Sequence, residues 1–312
     1  MQQKRILITG GAGFIGSNLA NTLAETNDVV VVDDGYLGTP ENLDESVTYY
    51  DRSVLDDALP TDVDVVFHLA ALSSYRMHET DPARGARVNV EGFVNTVEQA
   101  RRDGCETVVY ASTSSIYGSR TEPSPERMPI EVDTGYEASK LARERYAEYF
   151  SNHYGLSLAG MRFFSVYQGY GGCEAHKGEY ANVISQFADD IAHGRRPTLY
   201  GDGTQTRDFT HVDDIVRGMV QAAEAQLDGI YNLGTGDAYS FNRIVELINA
   251  ELGRDIAPEY TENPIPESVY VHDTCADYTK IHRETGWEPQ IELEAGVSKV
   301  CAAYADAMEA SD

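Results

Sequence analysis

Three glycines at fixed spacing, between an apolar run and an amphipathic one, constrain this chain more than any other feature. Residues 4–25 read KRILITGGAGFIGSNLANTLAE. A short strand pattern, Arg5–Thr9, leads into Gly10, Gly13 and Gly16, and a helical pattern follows. A glycine trio alone says little, but one that follows a strand and opens a helix is in the context the motif needs. Gly10 allows a tight turn, Gly13 lets the backbone approach a pyrophosphate, and Gly16 lets helix and strand pack closely. The helix N-terminus offers N–H groups and a positive dipole end to phosphates. The next apolar run, DVVVVDD, reaches Asp33, about 20 residues beyond the glycines, where a carboxylate holds a ribose 2′-hydroxyl. No arginine follows immediately, and Asp33 with Asp34 repels a 2′-phosphate, so the expected cofactor is NAD and not NADP.

Two more near-continuous apolar runs, VDVVFHLAA (63–71) and TVVYAS (107–112), read as buried parallel strands. Ala70 and Ala71 end the first with small side chains, where a cofactor can lie close. The stretch between the two runs has helical spacing. The β-α-β-α-β order predicts an α/β fold, a Rossmann-type doubly wound parallel sheet. Residues 1–165 with 209–236 are expected to form the NAD-binding domain. Residues 166–208 with 237–312 are expected to form a smaller C-terminal α/β substrate-binding cap, with the ligand in the cleft between. There is no internal repeat, low-complexity tract or linker.

The charge balance narrows the partners. The chain carries 51 acidic against 24 basic residues, a net charge of −27, and only five lysines. Phosphate-rich partners are repelled by such a surface, so no nucleic acid is expected. Concentrated salt screens the self-repulsion, which points to a halophile. No apolar run approaches membrane-spanning length, so no membrane partner is expected. The chain enters a strand pattern at its start, so no signal peptide is expected. Cys105, Cys173, Cys275 and Cys301 lack metal-like spacing and read as reduced thiols in a cytoplasmic protein.

The strand at 107–112 runs into STSSIYG (112–118), which puts hydroxyls at the carboxyl end of a parallel strand, in the ligand crevice. YEASK (136–140) then opens an amphipathic helix. A tyrosine and lysine four apart are usually an ordinary surface pair. Here the helix brings Tyr136 and Lys140 to one face, in reach of Thr113. A cationic lysine and an oxidised nicotinamide both favour phenolate, so the Tyr136 pKa is expected to fall and tune it as a base.

At this point the chain resembles the extended short-chain dehydrogenase/reductase family, and within it the NAD-dependent nucleotide-sugar epimerases and dehydratases. The resemblance runs over nearly the whole length, in family order: TGGAGFIG, Asp33, HLAA, NVEG, ASTSSIYG, YEASK, RFFSVY, GDGTQTRDFTHVDD, YNLGTG and GWEP. It implies that Thr113 is the catalytic hydroxyl, Tyr136 the base and Lys140 its partner. It implies cofactor contacts from Phe14, Ile15, Asp34 and Gly38, and from Leu69 and Ser73 around the two alanines. Asn89 matches an asparagine near the cofactor, and Phe163 a residue bordering the nicotinamide. Ser53 and Val54 match the adenine-contact pair, although an acid is usual at the first position.

On the substrate side, Arg207 matches the arginine that holds the nucleotide diphosphate, a task suited to its planar fork. Asn182 and Val183, in GEYANVISQF, match a segment that cradles nucleotide and phosphates. Ser114 and Ser165 are further substrate-side candidates, Ser165 standing where epimerases usually have asparagine. A second phosphate-binding arginine is expected where Glu267 stands. His272 either substitutes for it or is structural. Lys177, within QGYGGCEAHKGEY (168–180), reads either as a ligand or as a solvated loop lysine.

The same resemblance separates the possible reactions. A 4,6-dehydratase needs an Asp-Glu pair after the catalytic threonine, where this chain has Ser114 and Ser115. A decarboxylating relative carries glutamate at the position of Ser115. Without either acid, the expected outcome is return of the hydride to the opposite face of a 4-keto sugar. That is 4-epimerisation of a nucleotide-diphosphate sugar, UDP-glucose/UDP-galactose first. The alternatives are another NAD(P)-dependent nucleotide-sugar oxidoreductase, or a non-catalytic NAD-binding regulatory protein. Helices near 90–102 and 136–153 match a pair that relatives use to dimerise, so a homodimer is expected.

Overall fold

The structure, a computed structural model, describes residues 1–56, 58–60, 62–168 and 174–309. The glycine-rich lead at 169–173 therefore lies outside the described residues. Seven parallel strands form the central sheet: β1 (Arg5–Thr9), β2 (Asp28–Asp33), β3 (Thr48–Asp51), β4 (Val65–His68), β5 (Thr107–Ala111), β6 (Ser157–Phe163) and β7 (Gly229–Leu233). Their spatial order is β7-β6-β5-β4-β1-β2-β3. This is the doubly wound arrangement expected from the sequence. The order reverses between β1 and β4, paired in register from Ile6↔Val65 to Thr9↔His68. The crevice outside the carboxyl ends of these two strands is where such sheets bind ligands.

The strands read as continuous apolar runs because both faces are covered. Ile6, Ile8, Val29, Val31, Val65 and Phe67 face one layer, built with α1 (Phe14–Ala24) and a later helix, Val212–Glu224. Leu7, Val30, Val32, Val66, Val108 and Tyr110 face the other, built with α2 (Gly92–Arg102) and α3 (Gly135–Tyr154). Alternate residues of each strand thus enter opposite cores, as the pleat requires. The expected strand at 63–71 is shorter than its apolar run, because Leu69–Leu72 leave the sheet to line the crevice. The helix expected from residue 90 is preceded by one turn of π-helix, Arg87–Glu91.

Local chemistry fixes the start of α3. The Thr134 hydroxyl accepts from the Glu137 N–H at 3.2 Å, and a Glu137 carboxylate oxygen accepts from the Thr134 N–H at 3.2 Å. This reciprocal capping box places Tyr136 in the first turn. The helix ends at Gly155, whose φ of +75° suits glycine.

A third core joins α4 (Val183–Ala192), α5 (Phe241–Glu251) and α6 (Leu293–Glu309) through Ile184, Phe187, Ile191, Ile244, Ile248 and Val297. Two-stranded pairings surround it, among them Thr206–Arg207 with Tyr239–Ser240. The fully buried Asp208 ties three distant segments at its base. Its carboxylate accepts from the backbone N–H groups of Thr235 (2.7 Å), Gly236 (2.9 Å) and Ala276 (3.0 Å). Burial pushes this carboxyl up, and those hydrogen bonds oppose the shift.

Candidate active site

A cavity of about 460 Å³ runs along the carboxyl ends of the strands. Its floor is the glycine turn. Gly10 has φ +69°, and a Cβ there would stand 2.5 Å from the Ala70 nitrogen. A Cβ on Gly16 would press within 2.7 Å of the Gly11 Cα. The turn therefore packs against the end of β4 and against its own helix only as glycine. Gly13 caps α1 with no side-chain bond, and the first turn carries no acidic residue, which leaves that helix end electropositive. Phe14 and Ile15 line the same wall.

Asp33 ends β2 beside this turn. Its carboxylate accepts from the N–H groups of Ala12 (3.1 Å) and Gly35 (3.0 Å). Burial pushes its pKa up, and these backbone bonds pull it back. Gly38 packs on it so closely that a Cβ would lie 2.8 Å from the carboxylate. Asp34 completes the acidic end of the cavity. Two arginines, Arg52 and Arg84, also line the cavity, and sequence reasoning missed both. The Arg52 N–H donates to the Asp33 carbonyl at 3.0 Å. The Arg84 guanidinium stacks 3.9 Å above the Tyr36 ring. Both come from segments far from Asp33 in sequence, so no local pattern announced them.

At the other end, Thr113, Ser114, Ser115, Tyr136, Lys140 and Phe163 line the wall together. Thr113 starts a 3₁₀ turn over Ser114–Tyr117, and its hydroxyl oxygen accepts from the Ser115 N–H at 3.2 Å. The buried Lys140 ammonium donates to the Ala111 carbonyl at 3.0 Å and lies 5.9 Å from the Tyr136 ring centroid. Burial holds the Lys140 pKa well below its usual value, the Arg143 charge adds to this, and Glu144 opposes it. The Tyr136 shift runs opposite to expectation. Burial raises its pKa, while a hydrogen bond with Thr113 and the Arg143 charge draw it back. The Lys140 ammonium is turned to a carbonyl and does not offset that desolvation.

Arg143 is a further residue that sequence reasoning missed. It is fully buried and donates to the carbonyls of Ala70 (2.7 Å), Ala111 (3.4 Å) and Asn89. It thereby joins the ends of β4 and β5 to the π turn. Burial pushes its pKa down to about 9. Its spacing, three residues beyond Lys140 and seven beyond Tyr136, was a usable signal for the same helix face.

Ser73, Leu69, Ala70 and Ala71 line the cavity as expected of their positions, and so do Ser165 and Arg207. The Arg207 guanidinium donates to the carbonyls of Thr206 (2.9 Å), His272 (2.7 Å) and Val271. It lies 5.5 Å from the Phe241 ring centroid and 5.6 Å from that of Tyr270. Among the described residues no carboxylate pairs with it. Lys177 and His176 also line the cavity.

Several expected residues stand outside the wall. The Ser53 hydroxyl accepts from the Leu55 N–H at 3.3 Å inside a local turn, and the buried Val54 faces the cavity alone. Asn89 is wholly buried: it accepts from the Leu72 N–H (2.8 Å) and donates to the Leu72 carbonyl (3.0 Å) and the Ser139 hydroxyl (2.9 Å). It shapes the wall through Leu72 without reaching it. Asn182 caps α4, accepting from the Ile184 N–H at 3.0 Å, and donates to the Val166 carbonyl at 3.0 Å. Val183 packs on the third core. His272 pairs with Asp273 at 2.9 Å, and neither it nor the exposed Glu267 lines the cavity.

Nothing in this wall conflicts with a dinucleotide. The glycine cradle admits a close backbone approach, the bare helix end attracts phosphate, and Asp33 stands where a ribose diol is held. Known proteins agree. The pattern of the NAD dependent epimerase/dehydratase family matches residues 6–234. The UDP-glucose 4-epimerase of Mycolicibacterium smegmatis is 34% identical over 310 residues, covering 95% of this chain and 96% of that protein. A UDP-N-acetylglucosamine 4-epimerase from Methanobrevibacter ruminantium, solved with UDP-N-acetylmuramic acid, superposes with a TM-score of 0.91 at 29% identity, over 98% of this chain and 100% of the other. The Thermus thermophilus UDP-glucose 4-epimerase, solved with NAD, superposes at 0.86 and 30% identity, over 96% and 98%. The chain belongs to the NAD-dependent epimerase/dehydratase family, and its cofactor is NAD.

Proposed function

We propose that this protein is a 4-epimerase of a nucleotide-diphosphate hexose, with UDP-glucose and UDP-galactose as the first candidates. One observation carries the reading. Among the described residues, the only acids lining the cavity are Asp33 and Asp34, at the end away from Tyr136, while the wall around Tyr136 offers Thr113, Ser114 and Ser115. Elimination of water or loss of a carboxylate needs a second acid or base at the sugar. With hydroxyls alone there, reversal of the first step is the chemistry left.

When bound, NAD supplies a hydride acceptor that becomes the donor on the return step. The residues of this chain do the rest. Tyr136, hydrogen-bonded to Thr113, takes the proton from the sugar hydroxyl and later gives it back. Thr113 orients that hydroxyl. Arg143 supplies positive charge near the phenol, and a bound oxidised nicotinamide would add more, both opposing the burial that holds the phenol protonated. Lys140 stands on the same helix face, bonded to the Ala111 carbonyl. Arg207 receives the diphosphate. Five cations, Arg52, Arg84, Lys140, Lys177 and Arg207, line this one cavity in a chain of net charge −27. That concentration fits two ligands that each carry a pyrophosphate.

Residues 1–165 with 209–236 act as the NAD-binding part, and the remainder as the substrate part. The exposed Tyr146, Tyr149 and Tyr154 on α3 suit the homodimer that its pairing with α2 suggests. The test is incubation with UDP-, GDP- and dTDP-sugars, UDP-N-acetylglucosamine included, in molar salt without added NAD, with products read by NMR. Interconversion of 4-epimers is expected. Accumulation of a dehydrated, decarboxylated or net-oxidised product, with no epimer, overturns the reading.

A further inference from the structure

The segment Glu174–Tyr180 precedes α4 on the substrate side, yet it reaches across the cavity to the glycine turn. Two contacts hold it there. His176 Nδ1 lies 3.3 Å from Asn42 Nδ2, and that amide also donates to the Ala12 carbonyl at 3.2 Å. The Lys177 ammonium lies 5.0 Å from the centroid of Phe14, the first residue of α1. Both strap residues line the cavity together with Gly10, Gly13 and Phe14.

Lys177 is aimed, not loose. Its ammonium pairs with Glu174 at 2.9 Å, and its side chain is only 19% exposed. Glu174 is itself fixed: it accepts from the Asn182 N–H at 3.1 Å and from the Ser185 hydroxyl at 2.9 Å. A buried carboxylate anchored to the N-terminus of α4 thus sets a cation beside the ring of Phe14, the first residue of α1. The α1 end has neither a side-chain cap nor an acidic residue in its first turn, so two positive features line the same part of the cavity.

The other cavity cations serve different places. Lys140 is bonded to Ala111, Arg207 is held by Val271 and His272, Arg52 follows β3 beside Asp33, and Arg84 covers Tyr36. We propose that Lys177 is the counter-charge of the cofactor's pyrophosphate, delivered from the substrate side of the protein across the glycine turn. The strap then closes over the cofactor and joins the two halves of the site. This inference rests on NAD as the cofactor and not on the identity of the sugar.

The experiment uses the full chain freed of nucleotide and follows binding by calorimetry across a series of KCl concentrations. The probes are ADP-ribose, which has the pyrophosphate, adenosine, which lacks it, and UDP. Lys177→Met keeps an apolar stem over Phe14 and removes the charge. It should weaken ADP-ribose by about tenfold to a hundredfold, flatten its salt dependence, and leave adenosine and UDP unchanged. Lys177→Arg should restore most of the loss. Unchanged ADP-ribose binding overturns the proposal. So does a loss confined to UDP, which would assign the cation to the substrate, or an equal loss for adenosine, which would make the effect structural. If the variant does not fold, amine acetylation of the native protein, mapped by mass spectrometry, decides the point. ADP-ribose should protect Lys177 and adenosine should not; equal or no protection by the two overturns it. None of these readouts depends on turnover, so failure of the epimerase reading is scored separately.

Discussion

Glu144 grips Arg162 with both carboxylate oxygens, at 2.9 and 2.7 Å, and both side chains are buried. The Ser112 hydroxyl donates to the same carboxylate at 2.6 Å. Arg162 donates in turn to the Tyr117 hydroxyl at 2.8 Å, and Tyr117 donates to Asn232 at 2.7 Å. Thr113 lies between Ser112 and the turn that ends at Tyr117, so this chain of bonds holds it from both sides. The network reaches from α3 through β6 to β7.

Glu144→Gln should therefore cost about 3–5 kcal/mol of stability, because it strands a buried guanidinium. Urea denaturation in constant salt measures it. Pairing it with Arg162→Met should recover part of the loss, since no charge is then left unpaired. A single-variant loss below about 1 kcal/mol would mean that water reaches the pair.

Tyr136→Phe should leave NAD binding intact and lower turnover by about 10² to 10⁴-fold, the usual share of general acid–base catalysis. Nucleotide content of the purified variant and rates by NMR check both halves. Turnover within a few-fold of the native protein would remove Tyr136 from the base's role.

Acid should destabilise the protein from pH 6.5 downward. His68 is fully buried, its Nδ1 lies 2.9 Å from the Thr9 hydroxyl, and burial with the nearby Arg143 and Lys140 charges holds its pKa well below 6.5. The unfolded chain takes up a proton there that the folded chain refuses, so stability is complete above 6.5 and falls as the pH drops through that value. His78, His176 and His211 are shifted the same way, mainly by burial. Replacing His68 by Gln should remove one proton's share of the slope, about 1.4 kcal/mol per pH unit. Denaturation curves between pH 5 and 8, a range of about three units around the histidine pKa, show whether the slope changes.

Arg207→Met should weaken UDP by about tenfold or more and leave ADP-ribose unchanged, because the guanidinium is held by carbonyls and makes no direct ion pair with a carboxylate among the described residues. Calorimetry with the two nucleotides separates the outcomes. Loss of both would place Arg207 in the fold and not at the ligand.

The parts of this protein that were legible in sequence are those whose meaning is local. The turn Gly10–Gly16, the apolar run ending at Asp33, and Tyr136 with Lys140 each occupy one element, and helix or strand geometry fixes their neighbours. Arg52 and Arg84 meet the cavity from separate segments, and only tertiary packing brings them there. Lys177 was legible only as one of two readings, a ligand or a solvated lysine. Asn89 and Asn182 carry conspicuous sequence motifs, yet their amides hold the backbone at Leu72 and Val166. The Tyr136 pKa was misjudged for a related reason. Sequence shows which charges are near, while the desolvation that outweighs them depends on the whole wall.

The Asp208 carboxylate has a consequence for anyone recombining genes of this family. It binds residues 235, 236 and 276 at once, so segments far apart in sequence are stitched and not merely stacked. A chimera that imports a foreign C-terminal segment must carry position 208 and both of its partner segments from one parent. A crossover that separates them leaves a buried anion facing the wrong backbone, and the graft should fail at that seam before any question of sugar preference arises.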